Sequence, residues 1–570
     1  MKPVRAWLTA FALPLAGRGW FCLLLALSVA ALPVAAREGD PLSLFPFSRS
    51  DDSRWVQVET PHVRIISQVG ADRTRRMARS LDAFRQYLQA LFPGELSVPL
   101  SPVTVVVVDD DARFADLTGI TATRGVYRTA LDGTFAVVSA ERRDSMFSRS
   151  GEQVLRHEYV HHFLHHRYQR TFPLWFEEGL AEFLAGFRDF DGSARFGGMN
   201  RPFWAVLREG VVSSQPVTTV NVAMPRAAPR WASFDALMTA RTRELDGFRP
   251  RMGRALFYAQ SWALVHHLMG NGWDDPRWRA LLDRLQKGET PQAAMQASYG
   301  FGIATLDSRV RADFRRGRES RHSIGVEARI TPPDLSVRTL KDGAAQEMLV
   351  KVAVLFARPG STHLGRLARA LSAAATADPR NPFPLAMLTR LLARAGALDE
   401  AATLIEGARD KLGDKLPLVR ESALLTVRRQ RDRWANEGAD GVDSARLRRA
   451  IRDLDRVLES EPGPRHQFHA AFARAIQPPR KLADAAPLVR RAYRANPVDP
   501  DIQVLMGQVL ISEGDYDAAC RVLRPVAFRA ATEVGRALVR RLIDGLPDPA
   551  ACPMVPDGPI AGLEPEGRGG

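Results

Sequence analysis

The stretch GEQVLRHEYVHHFLHHRYQRTFPLWFEEGLAEF, residues 151–183, decides how the chain is read. It carries five of the twelve histidines, all between His157 and His166. No proline or glycine interrupts Glu152 to Gln169, and Val154, Leu155, Val160, Phe163 and Leu164 supply apolar cover, so the segment predicts a helix. His157 and His161 are four positions apart and project from one helical face, where two imidazoles reach a single ion at about 2.0–2.1 Å. Glu158 is rotated to one side of that pair, placed to take a proton from a water without ligating the metal.

A catalytic zinc site takes three protein ligands. Pro173 opens a second helix over "PLWFEEGLAEF", and Glu178 is the candidate third ligand. Glu182 sits one turn beyond it on the same face, placed to accept a hydrogen bond from the outer nitrogen of a ligating histidine; the corresponding neighbour of Glu177 is Ala181. The competing reading makes Glu177 and Glu178 first-turn acids complementing a helix dipole and Glu182 part of a solvated face. His165 continues the row past His161 but would reach the wrong side of a tetrahedral ion. His162, His165 and His166 are therefore expected to be partly exposed bystanders.

Working outward, the chain of 570 residues is too long for one ordinary core, so two or three domains are expected. The first 36 residues read as a cleaved signal peptide, with Lys2 and Arg5 ahead of an apolar run and Val34-Ala35-Ala36 at its end. That predicts export to a Gram-negative periplasm, an uncleaved anchor being the alternative; no later run is apolar for long enough to span a bilayer. A linker is expected at 37–54. "WVQVE", "HVRIIS", "VTVVVV" and "GTFAVVS" read as strands and "DRTRRMARSLDAFRQYLQALF" as a helix, an α+β order that ends directly before the histidine helix. "GTFAVVS" is read as the sheet edge, open to pairing with an extended chain. The first domain is placed at 55–317, followed by a linker at 318–341, a helical region at 342–548 and a disordered tail at 549–570.

Within the helical region "LTRLLARAGALDEAATLI" and "MGQVLISEGDYDAACRVL" align at an offset of 118, pairing Gly396 with Gly514 and Ala401 with Ala519. The pattern is a helix, a glycine turn and a second helix approaching closely through a small residue. It resembles tetratricopeptide repeats, although the offset is not a multiple of about 34 residues; a generic helical bundle is the competing reading. Only Cys520 and Cys552 remain beyond the leader, either as one bridge or as two free thiols, and a cysteine-based zinc site is excluded. The net charge of +15 is spread along the chain without a basic cluster or interleaved aromatics, which argues against a nucleic-acid partner.

H-E-x-x-H followed by E-G-x-A-E resembles the gluzincin branch of zinc metallopeptidases, in particular the peptidase MA-like proteins exported by bacteria. "WVQVETPHVRIIS" and "YAQSWALVHHLM" (residues 258–269) are similar to that group in the expected order. The resemblance implies a zincin-like fold over about residues 55–317, one Zn2+ held by His157, His161 and Glu178, and Glu158 as general base. It also implies Tyr258 as the donor to an oxyanion. The chain lacks the G-x-M-E-N segment with which related aminopeptidases hold a free amine, "GGMNR" at 197–201 being no match, so an endopeptidase acting on a protein or peptide is expected. The helical repeats would then bind a protein partner or present a substrate. Two alternatives stand beside it: a non-catalytic, repeat-based scaffold with a retained zincin fold, and a zinc hydrolase of non-peptide substrates.

Overall fold

The computed structural model describes residues 55–92, 100–121, 123–141, 151–168, 172–190, 193–209, 231–239, 254–287, 289–317, 324–340, 342–479, 482–529, 533–549 and Cys552. The expected leader and first linker and most of the tail lie outside these residues.

The chain starts with β1 (Val56–Glu59), β2 (Val63–Ser67), α1 (Ala71–Leu91), β3 (Val103–Val108), α2 (Asp111–Thr118), β4 (Gly125–Ala130) and β5 (Gly133–Ser139). β2, β3 and β5 run parallel, while β1 and β4 join antiparallel, in the order β4-β5-β3-β2-β1 with one later strand beyond β1. The apolar run of β3 is buried on both sides. Val105 and Val107 face one core with Val138 of β5, whereas Val106 and Val108 face another with Val137.

The first face carries α3 (Gly151–Tyr168), α4 (Leu174–Ala185), a hairpin of β6 (Arg188–Asp189) and β7 (Ser193–Phe196), and the helices α5 (Arg201–Glu209), α6 (Phe234–Thr239), α7 (Arg254–Leu268), α8 (Pro276–Lys287), α9 (Pro291–Tyr299) and α10 (Ile303–Arg315). The stretch 318–341, expected as a linker, instead supplies two strands. β8 (Ile324–Glu327) pairs with β7, and β9 (Ser336–Thr339) pairs with β1 at the sheet edge. β9 satisfies the free backbone groups of β1, but all four of its residues are exposed, so no apolar alternation announces it.

The second face is covered by the helical region itself. α11 (Asp342–Phe356), α12 (Thr362–Ala377), α13 (Pro382–Ala395) and α14 (Leu398–Leu412) share one core with α2 and the back of the sheet. The two parts of the chain are thus packed on a common sheet rather than strung along a connector. α15 (Leu416–Glu437), α16 (Ser444–Ser460), α17 (Pro464–Ile476), α18 (Leu482–Ala495), α19 (Pro500–Glu513), α20 (Tyr516–Arg529) and α21 (Glu533–Asp544) continue the array, each packed on the next.

The self-matching segments form α13–α14 and α19–α20, and their turns close in the same way. Gly396 and Gly514 take φ of 89° and 82°, and the following residues donate to Leu392 O and Leu510 O at 3.0 Å. Ala401 and Ala519 are both fully buried at the helix contact. Cys520 and Cys552 form a disulfide that ties the last described residue to α20. No described helix is long and apolar enough to cross a membrane.

Candidate metal centre

α3 runs without a break through the histidine stretch, burying Val154, Leu155, Tyr159, Val160, Phe163 and Leu164. α4 begins after Pro173 and returns across it. Gly179 allows α4 to lie against α7: a Cβ there would come 2.4 Å from Ser261 O. The glycine of E-G-x-A-E is therefore a packing requirement that brings the acidic helix under α7.

This packing gathers His157, His161 and Glu178 into one group able to hold a metal ion. The two Nε2 atoms are 3.2 Å apart, and Glu178 Oε2 lies 3.2 Å from that of His157 and 3.5 Å from that of His161. Three tetrahedral ligands at 2.0–2.1 Å from one ion are separated by about 3.3 Å, so the donor set fits a first-row divalent ion without rearrangement. Without an ion, burial opposes charge on His157, but the Glu182 and Glu178 carboxylates prevail and raise it to about 10. Burial likewise opposes charge on Glu178, and the two imidazoles hold its carboxyl well below the usual range. A metal entering this group displaces protons.

Glu182 is buried, with Oε1 3.2 Å from His157 Nδ1, and Asn200 Nδ2 lies 3.5 Å from its other oxygen. Glu177, by contrast, accepts the Phe172 N–H at 2.8 Å and stands 4.0 Å from His165. Tyr258, on α7, is half-buried with its ring centroid 6.3 Å from that of His157. Glu158 lies beneath the start of β4, its Oε1 3.5 Å from where a Gly125 side chain would begin.

The expectation of three partly exposed bystanders is corrected for two of them. His162 and His166 are fully buried. His162 Nε2 donates to Ser101 O at 3.0 Å and its Nδ1 accepts from the Tyr127 hydroxyl at 3.2 Å. His166 Nδ1 donates to His162 O, leaving Nε2 to accept from the Ser101 hydroxyl at 2.9 Å. Burial, followed by the neighbouring His166, drives the His162 pKa well below its ordinary value, so it is a neutral structural residue. These rings fasten β4 and the approach to β3 onto α3.

A second correction concerns the sheet edge. "GTFAVVS" is an inner strand, and β4 occupies the edge position instead. The sequence signal was the Asp132-Gly133 pair between two alternating stretches, which marks a hairpin. No protein-family model matches the chain, and no curated protein matches it.

Proposed function

We propose that the chain is an exported zinc-dependent endopeptidase of the gluzincin type, holding one zinc ion through His157, His161 and Glu178. The observation that supports this reading above others is the near-tetrahedral spacing of the three ligand atoms, with Glu158 adjacent and Glu182 behind. A bound zinc ion supplies Lewis acidity towards a carbonyl and a water of near-neutral pKa. Glu158 takes the proton of the attacking water and returns it to the leaving amine. Tyr258 donates its hydroxyl to the developing oxyanion. Glu182 holds the outer N–H of His157 and so fixes the tautomer that leaves Nε2 free to ligate. An extended peptide adds to the outer edge of β4, which begins over Glu158, and the helical repeats engage a protein partner or the substrate itself.

The test is the metal content of the full chain purified without chelator, beside a folded Glu178→Ala variant. One zinc per wild-type chain, sharply weakened in the variant, is expected, together with peptide hydrolysis that falls by about 10²–10⁴ in Glu158→Gln at unchanged metal content. A folded wild type that takes up no zinc on reconstitution would overturn the enzyme reading in favour of a repeat-based scaffold.

A further inference from the structure

The β4–β5 hairpin reaches from the metal helix into the helical array. At one end, Gly125 lies on Val154 and Glu158, and Tyr127 donates to His162. Arg124 and Ser139 both hydrogen-bond Asp111 Oδ1, at 2.8 and 2.5 Å, and Arg124 also donates to Glu141 O. At the other end the tip, Leu131-Asp132, reaches the helical array. Asp132 Oδ2 accepts from Arg390 of α13 at 2.5 Å and from Arg465 of α17 at 3.2 Å. Ala130 O accepts from the fully buried Asn496, just past α18, at 2.7 Å, and Leu131 packs on the core of α15–α20. Along the strand, Val126 and Ala130 pack on the α11–α14 core, and the Arg128 guanidinium lies 6.0 Å from the centre of the Phe356 ring.

Arg390 is 7% and Arg465 18% exposed, and Asp132 is the carboxylate that separates them. Burial opposes its charge, but the two guanidiniums hold its pKa well below the usual carboxylate range. The buried Glu421 also attracts both guanidiniums, so loss of the Asp132 charge leaves them a carboxylate and chiefly unfastens the hairpin.

We propose that Asp132 is a positioning residue: through the Arg390–Asp132–Arg465 clamp, the helical repeats fix the edge strand that borders the metal centre. The repeats' first ligand is then this chain's own hairpin. The consequence for substrate alignment rests on the peptidase reading; the clamp itself does not.

Hydrogen–deuterium exchange of the full chain tests it, in wild type, Asp132→Asn and Asp132→Glu, each with and without added zinc. In Asp132→Asn the peptides covering 125–139 should exchange on the order of tenfold faster, while those covering 151–168, 382–395 and 464–476 keep wild-type protection. Asp132→Glu should restore most of the lost protection. Unchanged exchange at 125–139 overturns the proposal. So does a rise shared by the hairpin and the repeats, which would make Asp132 a general stabiliser. If Asp132→Asn does not fold, Arg465→Gln removes one arm of the clamp from a half-buried position and is read in the same way. Failure to bind zinc with selective loosening of the hairpin would sink the peptidase and leave the clamp standing, whereas zinc binding with an unmoved hairpin would do the reverse.

Discussion

The candidate metal site and the junction of the hairpin with the helical array are both built from a few charged side chains, but they are assembled in opposite ways. The centre draws His157, His161, Glu178 and Glu182 from two consecutive helices. The junction joins Asp132 to residues 258 and 333 positions away, and Ala130 to one 366 positions away. Helical periodicity fixes the first almost unaided. The second exists only once the whole array has folded against the sheet. Chemistry placed by local geometry should thus fail by small, confined losses, and chemistry placed by topology should fail by loosening of whole elements.

The largest confined loss is expected at Glu182. Glu182→Gln leaves all three ligand atoms in place but weakens the carboxylate behind His157 Nδ1, and zinc affinity should fall about 10–100-fold in competition with a chelator. An affinity equal to that of wild type would mean that α4 contributes a ligand and nothing more.

Gly125 lies where the two kinds of construction meet. A methyl group there would come within 2.1 Å of Val154 Cγ1, on a β-branched side chain that is itself buried. Gly125→Ala should therefore cost about 1–3 kcal/mol by overpacking, read as a lower urea midpoint, and adding Val154→Ala should recover part of the loss. If Gly125→Ala is as stable as wild type, β4 is not pressed against α3.

The same contrast explains how much was legible in the sequence. The approach of His157 to His161, the helix break at Pro173 and the glutamates one turn apart follow from spacing alone. The inner strands follow from apolar runs, and the paired helix–turn–helix units from their self-match. β9 was hidden because its partner β1 lies across the chain and its side chains stay in water. His162 and His166 were misjudged because a histidine's burial depends on what packs over the helix, here Ser101 and Tyr127. Arg390 and Arg465 cannot be singled out among the chain's many arginines until Asp132 is seen between them. Asp132-Gly133 is the local signal for this hairpin, whose two-residue loop is Leu131-Asp132 and whose second strand opens on Gly133 at φ 120°.

Smallest in expected effect, but most selective for the helical array, is a pH dependence set by His469. Its Nδ1 donates to Arg465 O at 2.8 Å, one turn back along α17 and directly behind the clamp. Burial first, then the guanidiniums of Arg465 and Arg431 and the ring of His466, push its pKa down to about 3, against the backbone hydrogen bond that raises it. The unfolded chain takes up a proton here below about pH 6.5, and the folded chain does not, so stability is full above that pH and erodes as pH falls towards 3. Between about pH 7.5 and 5.5 the loss from this one ring should be about 1 kcal/mol. His469→Asn retains a donor for the Arg465 carbonyl and removes the titration. His363, whose pKa is also lowered by burial, is common to both chains and cancels, and His466, which faces His469, is removed from the comparison by repeating it in a His466→Asn background. The wild type should therefore lose about 1 kcal/mol more than the variant over that interval, measured as the shift in urea midpoint of the helical transition. Equal shifts would show that His469 protonates as readily folded as unfolded, and that the surroundings of Arg465 are open to water.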